Sequence, residues 1–550
     1  MKLNKLFISV GLFAAALTGC TNLDVNVESQ YTDDPSKGSG VAPMLLVEAK
    51  MADVSFHLSG TLGRRYMEAQ CLASDEFTAL AFDGGYYDDG TYANQALHAS
   101  RATDASLDWY PDVTSGITKA NTVIADLTAS GASDKMIAPA RAIRAYYTWI
   151  LMDCFGDAPK MDRVITEGET FERRPRAEIA QWIADELTAI ADQLNDTVSA
   201  KTYGKPTKWM AKALLAKLYI NWAVYTAESV DKYDAATADN EKLQACIDVC
   251  DEIIYESEDR FDINGGVDYL HKFAPDNGPH VKDFIYVMPY DAVERAGFQY
   301  ARPRTFKDMK GLIPNYYGSK EAFTQSFGGN MVVTPEMAAR FDALDATDIR
   351  RNVVLGGDVY NRDPNTLLPT KERFMYKGQP VTFTKDIKLK IENNTIDVGN
   401  DAAAYQQGYH SIKWFIVPND YNNGRNQSND LPIFRYADIL LMKAEALVRM
   451  GEKLDEAMKL VNEVRVYAGA TPLTSAPTLE QIYNERAIEF FDENWRRNDM
   501  IRFGHYEDEF FPHYKKYDFA KFDKRHRVFP ITQRQLDLNP DWKQNDGYEQ

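Results

Sequence analysis

Apolar residues recur every three or four positions along five long stretches of the first half of this chain, about 107–128, 137–154, 177–195, 206–226 and 241–256. In 177–195 the series is Ile179, Trp182, Ile183, Leu187, Ile190 and Leu194, a stripe along one face of a 3.6-residue helix. A helix with such a stripe must bury it on a neighbour, so the pattern commits this part of the chain to packed helices. Short connections make some of them antiparallel pairs. Small residues stand where helices must approach closely, as with Ala142 and Ala145 before Tyr146 and Trp149, or Ala211, Ala213 and Ala216 before Tyr219. Near the end, AEALVRMGEKLDEAMKLVNEVR (444–465) reads as a helical hairpin with Gly451 in the turn and Glu456-Ala457 opening the second helix. That is the spacing of a tetratricopeptide unit, which buries its face only against stacked neighbours.

Between about 260 and 430 the pattern changes to short segments rich in Gly, Pro, Asn and aromatics, with alternation that predicts small strands near 284–288 and 381–391. An irregular insertion of this length is uncommon in a packed domain unless it has a use, so it is the first place to expect a binding surface. No Pro/Gly/Ser-rich break divides the chain, and 41–550 is expected to form a single domain.

The amino terminus carries a different message. Lys2 and Lys5 precede an apolar run, Leu6–Leu17, and the small residues Thr18 and Gly19 stand before Cys20. Residues 1–19 read as a secretory signal and Leu17-Thr18-Gly19-Cys20 as a lipobox whose cysteine is lipidated. The run is shorter than the roughly 20 residues that span a bilayer. Residues 20–40, polar and without periodicity, are expected to be a flexible tether. Losing residues 1–19 removes two lysines and no acids, so the formal charge of −19 becomes −21. A chain this acidic repels polyanions, which argues against nucleic acid and favours a neutral ligand. Cys71, Cys154, Cys246 and Cys250 are too sparse for a disulfide framework. They read as buried thiols, because no nearby His completes a zinc set for Cys246 and Cys250. The eight histidines are scattered, and HExxH, GxSxG and GxxxxGK[ST] patterns are missing, so no enzyme class is indicated.

Several blocks, in order along the chain, then carry a resemblance. RAIRAYYTWILMDCFGDAP (141–159), NMVVTPEMAARFDALDATDIRR (330–351), LPIFRYADILLMKAEALVRMG (431–451), IYNERAIEFFDENWRRNDMIRFG (482–504) and FPITQRQLDLNPDWKQNDGY (529–548) resemble the SusD/RagB family of nutrient-binding outer-membrane lipoproteins. The resemblance implies a mainly α fold. Tetratricopeptide-like hairpins would form a right-handed superhelical scaffold, with the loop-rich insertion packed on its convex side and bearing the ligand site. It also implies a partner, a SusC-like TonB-dependent transporter, and a role as its glycan-capturing lid. Asn498 departs from the family pattern at a position read as structural. Read without the family, Arg435, Asp438, Glu445, Arg465, Glu485, Arg486 and Arg496 sit among apolar residues at helical spacing, where charges persist only when paired. They are expected to be buried ion pairs rather than catalytic groups. Asn539-Pro540 and Trp542 look like a terminal capping segment.

Sugars offer C–H faces that aromatic rings stack on and hydroxyls that Asn, Asp and Arg bind in pairs. Three aromatic segments suit this. FDGGYYDDGTYAN (82–94) supplies Tyr86, Tyr87, Tyr92 and Asn94, in the part of the chain from which family members contribute an aromatic and an Asn. GLIPNYYGSKEAFTQSFGG (311–329) supplies Tyr316 and Tyr317, and KWFIVPNDYNNGRN (413–426) supplies Trp414, Tyr421, Asn423 and Arg425. Convergence of the three is the expectation, and packing beneath loops is the alternative for each ring. Two rival functions are peptide capture, to which an acidic surface is suited, and surface glycoside hydrolysis by carboxylates such as Asp88-Asp89, which needs two groups about 5–10 Å apart. No cofactor is implied, although Asp and backbone oxygens could hold a structural calcium.

Overall fold

In this computed structural model, residues 43–85, 90–257, 260–390, 396–511, 513–514 and 520–549 are described. The signal segment, Cys20 and the 20–40 tether lie outside them. The helical stripes become α1 (Tyr110–Ala129), α2 (Asp134–Phe155), α3 (Arg176–Ile190), α4 (Lys208–Ile220) and α5 (Leu243–Asp251). Of the stripe read in α3, Ile179, Ile183, Leu187 and Ile190 are buried, and the half-exposed Trp182 lies under the Arg144 guanidinium at 5.4 Å. Crossing is close where α1 meets α2: a Cβ on Gly116 would come within 2.7 Å of the Tyr147 ring, so only glycine lets these helices approach. Thr207 caps α4 by accepting a hydrogen bond from Met210 N at 3.2 Å.

The hairpin read near the end is α6 (Tyr436–Met450) and α7 (Leu454–Tyr467). Gly451, at φ +70, closes α6, and Glu452 N returns to Leu447 O at 3.0 Å. A capping box of Thr478 and Gln481 opens α8 (Leu479–Glu489), and α9 is Arg496–Phe503. Each helix packs on the next in the series α1 to α6, and α6 also packs on α7 and α8, α8 on α9. Residues Ala49–Gln550 form one compact unit.

Because α5 packs directly on α6, everything between them is an insertion. A two-stranded antiparallel ladder ties its two ends together, Phe284–Met288 against Leu431–Arg435, with Leu431 opposite Met288 and Arg435 opposite Phe284. The strand expected at 284–288 is therefore present. The one expected at 381–391 reduces to Thr382–Phe383, paired with Gly357–Asp358. Beyond Phe383 the pairing breaks into isolated bridges, Thr384 with Gln407 and Lys390 with Asp397, and between them the Gln407 side chain steps in, its Oε1 accepting Lys388 N at 2.6 Å. Alternating lysines gave the right period, but period alone does not supply an edge to pair with.

Ion pairs hold insertion and scaffold together. Arg435, delivered by the ladder, reaches Asp283 at 2.6 Å, Glu489 at 2.8 Å and Glu493 at 2.8 Å, and Lys413 Nζ meets Glu493 at 2.5 Å. Arg350 joins Glu489 at 3.2 Å and Glu485 at 2.6 Å, and Glu485 also takes Arg465 at 2.5 Å. Arg486 bridges Asp438 and Asp499, each at 2.8 Å, while Arg502 bridges Asp499 at 2.7 Å and Glu445 at 2.8 Å. Arg496 holds Asp75 at 2.7 Å. All seven charges singled out in the sequence are thus in ion pairs. Although burial pushes the Asp283 carboxyl up, Lys272 and Arg435 hold it down at about 2. Asn498 is structural as read, donating to Asp153 Oδ1 at 2.8 Å. Cys71, Cys154, Cys246 and Cys250 are buried free thiols, and Trp542 Nε1 donates to Phe171 O at 3.1 Å.

Candidate functional site

The first of the three aromatic segments is launched by the strand Phe77–Ala79, which pairs antiparallel with Met331–Val333. Ala81 N then donates to Ile396 O at 2.8 Å, and Val398 N to Ala81 O at 3.0 Å. The chain turns back at Asp83 (φ +52) and Gly84 (φ +76), and Phe82 and Gly85 exchange backbone hydrogen bonds of 3.3 Å. Buried Asp397 holds the turn: its carboxylate accepts from Asp83 N at 3.1 Å, Gly84 N at 2.7 Å and Gly399 N at 2.8 Å. One carboxylate serving three amides fixes the turn at Asp83 and Gly84.

Beside this turn lies a platform. The Phe82 ring meets Tyr405 edge-on at 5.3 Å, and Lys307 Nζ sits 4.1 Å from the Phe82 ring centre and 5.2 Å from that of Tyr405. Phe306 supports it from below, 5.0 Å from Tyr376 and 6.4 Å from Tyr405. Tyr405 is half-exposed and donates to the exposed Asn400 Oδ1 at 2.5 Å. Tyr376 Oη donates to Asp308, and Lys377 Nζ reaches the same carboxylate at 3.3 Å. The Tyr376 hydrogen bond, followed by the lysines, lowers the Asp308 carboxyl, and burial lowers the Lys307 ammonium. A part-open ring ringed by an amide, a carboxylate and ammonium groups suits a ligand with one apolar face and many hydroxyls.

The residues chosen from sequence divide. Tyr86 and Tyr87, with Asp88 and Asp89, lie outside the described residues, next to the platform in the chain. Tyr92 is fully buried, its Oη on Glu68 and on Arg65 Nη1 at 3.0 Å. Asn94 Nδ2 is occupied by both Asp104 oxygens at 3.0 Å. Tyr316 and Tyr317 are buried ring on ring at 4.9 Å, Tyr316 also against Phe374 at 4.8 Å. Trp414 is buried among Phe273, Phe298 and Tyr300 and donates to Asp492 O at 3.1 Å. Tyr421 stacks on Phe327 at 4.2 Å and 7°. Arg425 ties itself to Ser326 through O at 3.1 Å and Oγ at 3.0 Å, and exposed Asn423 donates to Ala292 O at 2.8 Å.

Tyr92, Tyr316, Tyr317, Trp414 and Tyr421 therefore offer no open face, which corrects the reading of them as stacking surfaces. The physical reason is volume. With few helices and two-stranded sheets the insertion has little backbone to fill its interior, so large rings fill it. The second and third segments do converge, Thr324 N on Asn422 Oδ1 at 2.7 Å, but the contacts of Phe82–Gly85 are with Asp397, Lys307 and Tyr405 instead. Sequence reading passed over Tyr405, Tyr376, Lys307 and Asp308. One signal was present: Lys377 (φ +50) and Gly378 (φ +77) form the two-residue turn of a hairpin in which Tyr376 opposes Gln379. Tyr405, a lone tyrosine after three alanines, had none.

Comparison with known proteins places this geometry among relatives. A family model described as "SusD family" matches residues 298–548, and another, "Starch-binding associating with outer membrane", matches 24–220. The starch-binding protein SusD of Bacteroides thetaiotaomicron is 21% identical over 467 residues, covering 80% of this chain and 76% of that protein. SusD-like protein P2 of Formosa agariphila is 24% identical over 374 residues, covering 65% and 63%. Among solved structures, a SusD homolog from B. thetaiotaomicron aligns with a TM-score of 0.68 at 18% identity over 91% of this chain and 96% of that one. Surface glycan-binding protein A of B. thetaiotaomicron, in complex with laminarihexaose, aligns at 0.67 and 18% over 91% and 99%. The helical hairpins, the large insertion and the blocks along the sequence agree with these matches at both ends of the chain, which is similar to the SusD/RagB family over residues 24–220 and 298–548.

Proposed function

We propose that this chain is a cell-surface lipoprotein that captures a glycan on the Tyr405 platform and passes it to a SusC-like TonB-dependent transporter in the outer membrane. The observation that carries the reading is the half-exposed Tyr405 ring beside Asn400, Asp308 and Lys307. Tyr86 and Tyr87 follow the Asp397-held turn directly in the sequence, and their aromatic character supports the same reading. Relatives named for starch, laminarin and laminarihexaose support a sugar ligand. The lipobox supports attachment through Cys20, and the family description supports the outer membrane as its place. In this reading the protein binds and does not hydrolyse, and capture beside a pore needs only modest affinity.

Calorimetric titration of the purified mature chain with neutral oligosaccharides and with peptides checks this. A sugar is expected to bind, and Tyr405→Ala is expected to weaken it about tenfold, or about 1.4 kcal/mol, with thermal stability kept because the ring is half open. Tyr92→Ala should instead lower thermal stability, since it strips the buried Glu68 of a donor. Peptide binding without sugar binding, or new reducing ends on incubation with polysaccharide, would refute the proposal.

A further inference from the structure

Most arginines inside this protein are answered by carboxylates, and Arg362 is not. It is 7% exposed, its Nη1 donates to Leu367 O at 2.6 Å, and its Nε has no partner among the described residues. Burial lowers its guanidinium to about 10, which leaves it charged at neutral pH. Arg362 ends the strand Tyr360–Arg362 and lines a cavity of about 480 Å³ together with Arg351, Asn352, Asp358 and Tyr360. Such a volume is in the range of small-molecule sites, about 300–1,000 Å³.

Arg351 is exposed and enters no ion pair among the described residues, whereas its neighbour Arg350 is held by Asp348, Glu485 and Glu489. The one acid on the cavity wall is already engaged: Asp358 takes Arg373 at 2.9 Å and Thr382 Oγ1 at 2.9 Å. Two cations without counter-charge thus face one cavity in a chain with 81 acidic and 62 basic residues. A buried unpaired cation is costly to keep, and such cost is characteristic of sites whose ligand supplies the missing charge.

We propose that this cavity binds a carboxylate, carried on a uronic acid residue of an acidic glycan. Arginine presents a planar fork that matches a carboxylate; beside it Tyr360 is half-exposed with the Arg373 guanidinium 5.5 Å from its ring centre, and half-exposed Asn352 donates its Nδ2 to Ile349 O at 3.0 Å. The carboxylate follows from the cavity alone; that a sugar carries it rests on the glycan reading above. The neutral ligand expected from total charge concerns the average field, and here the local field has the opposite sign.

The test is calorimetry and thermal melting of the mature chain with a galacturonic acid trimer, the matching neutral galactose trimer and a tripeptide. The acid trimer is expected to bind in preference to the other two, and Arg351→Ala and Arg362→Met each to weaken it tenfold or more. Without ligand, R362M is expected to melt no lower than the parent, because it removes a buried unpaired cation. Should R362M fail to fold, R351A alone still decides, since Arg351 is exposed. Equal binding of acid and neutral trimers, or affinity unchanged in both variants, overturns the inference. A tripeptide that binds as tightly as the acid trimer overturns the sugar assignment. A chain that binds neutral oligosaccharide through Tyr405 but shows no preference for the acid trimer also overturns it, and leaves the proposed function standing.

Discussion

Arg435→Ala is expected to destabilise the protein by about 3–5 kcal/mol, the range for breaking a buried ion pair by removing one partner. The guanidinium is 2% exposed and is shared by Asp283, Glu489 and Glu493. Without it three carboxylates stay in the interior, with only Lys272, Lys413 and Arg350 to answer them. Repulsion among them adds to the desolvation each already bears. The exposed pair Lys50–Asp126, at 2.7 Å, is the contrast: Lys50→Ala should cost under about 1 kcal/mol. Urea unfolding of both variants at neutral pH measures the difference. Equal, small effects would show that the network adds nothing to stability.

The second large effect concerns Glu76, fully buried on the segment that leads into the platform strand. Burial, then the nearby Asp492 and Asp75 carboxylates, raises its carboxyl from 4.5 to about 8. The folded protein therefore holds a proton there that the unfolded chain releases above about pH 4.5. Stability from this group is fully present below the unfolded value and falls as pH rises through the window from about 4.5 to about 8. At about 1.4 kcal/mol per pH unit the loss is on the order of 4–5 kcal/mol. Glu76→Gln keeps the oxygen that accepts Asp492 N at 2.8 Å and puts a neutral amide where Oε2 has no partner. The variant should match the parent near pH 4.5 and be more stable by several kcal/mol at pH 8, as read by denaturant midpoints across that range. A constant offset would place the proton elsewhere.

Both predictions rest on charges that the sequence announced. Arg435, Glu485 and Arg496 stood at helical spacing among apolar residues, and ionised groups in such positions have few alternatives to pairing. Helix positions were legible for a similar reason: a stripe such as Ile179–Ile190 has one period and one way to be buried. Their partners were not, because Asp283 reaches Arg435 and Asp75 reaches Arg496 across long separations that no local pattern encodes. The platform was legible only at its edge. Composition pointed to 82–94 and to the insertion, but it could not tell a ring that fills a loop, such as Trp414, from one that caps it, such as Tyr405. That distinction depends on which side of the loop faces water. Short-range alternation likewise predicted a strand at 381–391, where Thr382–Phe383 forms a short strand and Thr384 and Lys390 make isolated bridges.

Hydrogen–deuterium exchange of the mature chain with and without a bound neutral oligosaccharide tests the central claim most directly. Tyr405, Asn400 and the Asp397-held turn belong to one surface, so ligand is predicted to slow exchange in 82–94 and 397–407 together, with 306–308 between them. Protection confined to 311–329 and 413–426, or to the helical scaffold, would contradict it.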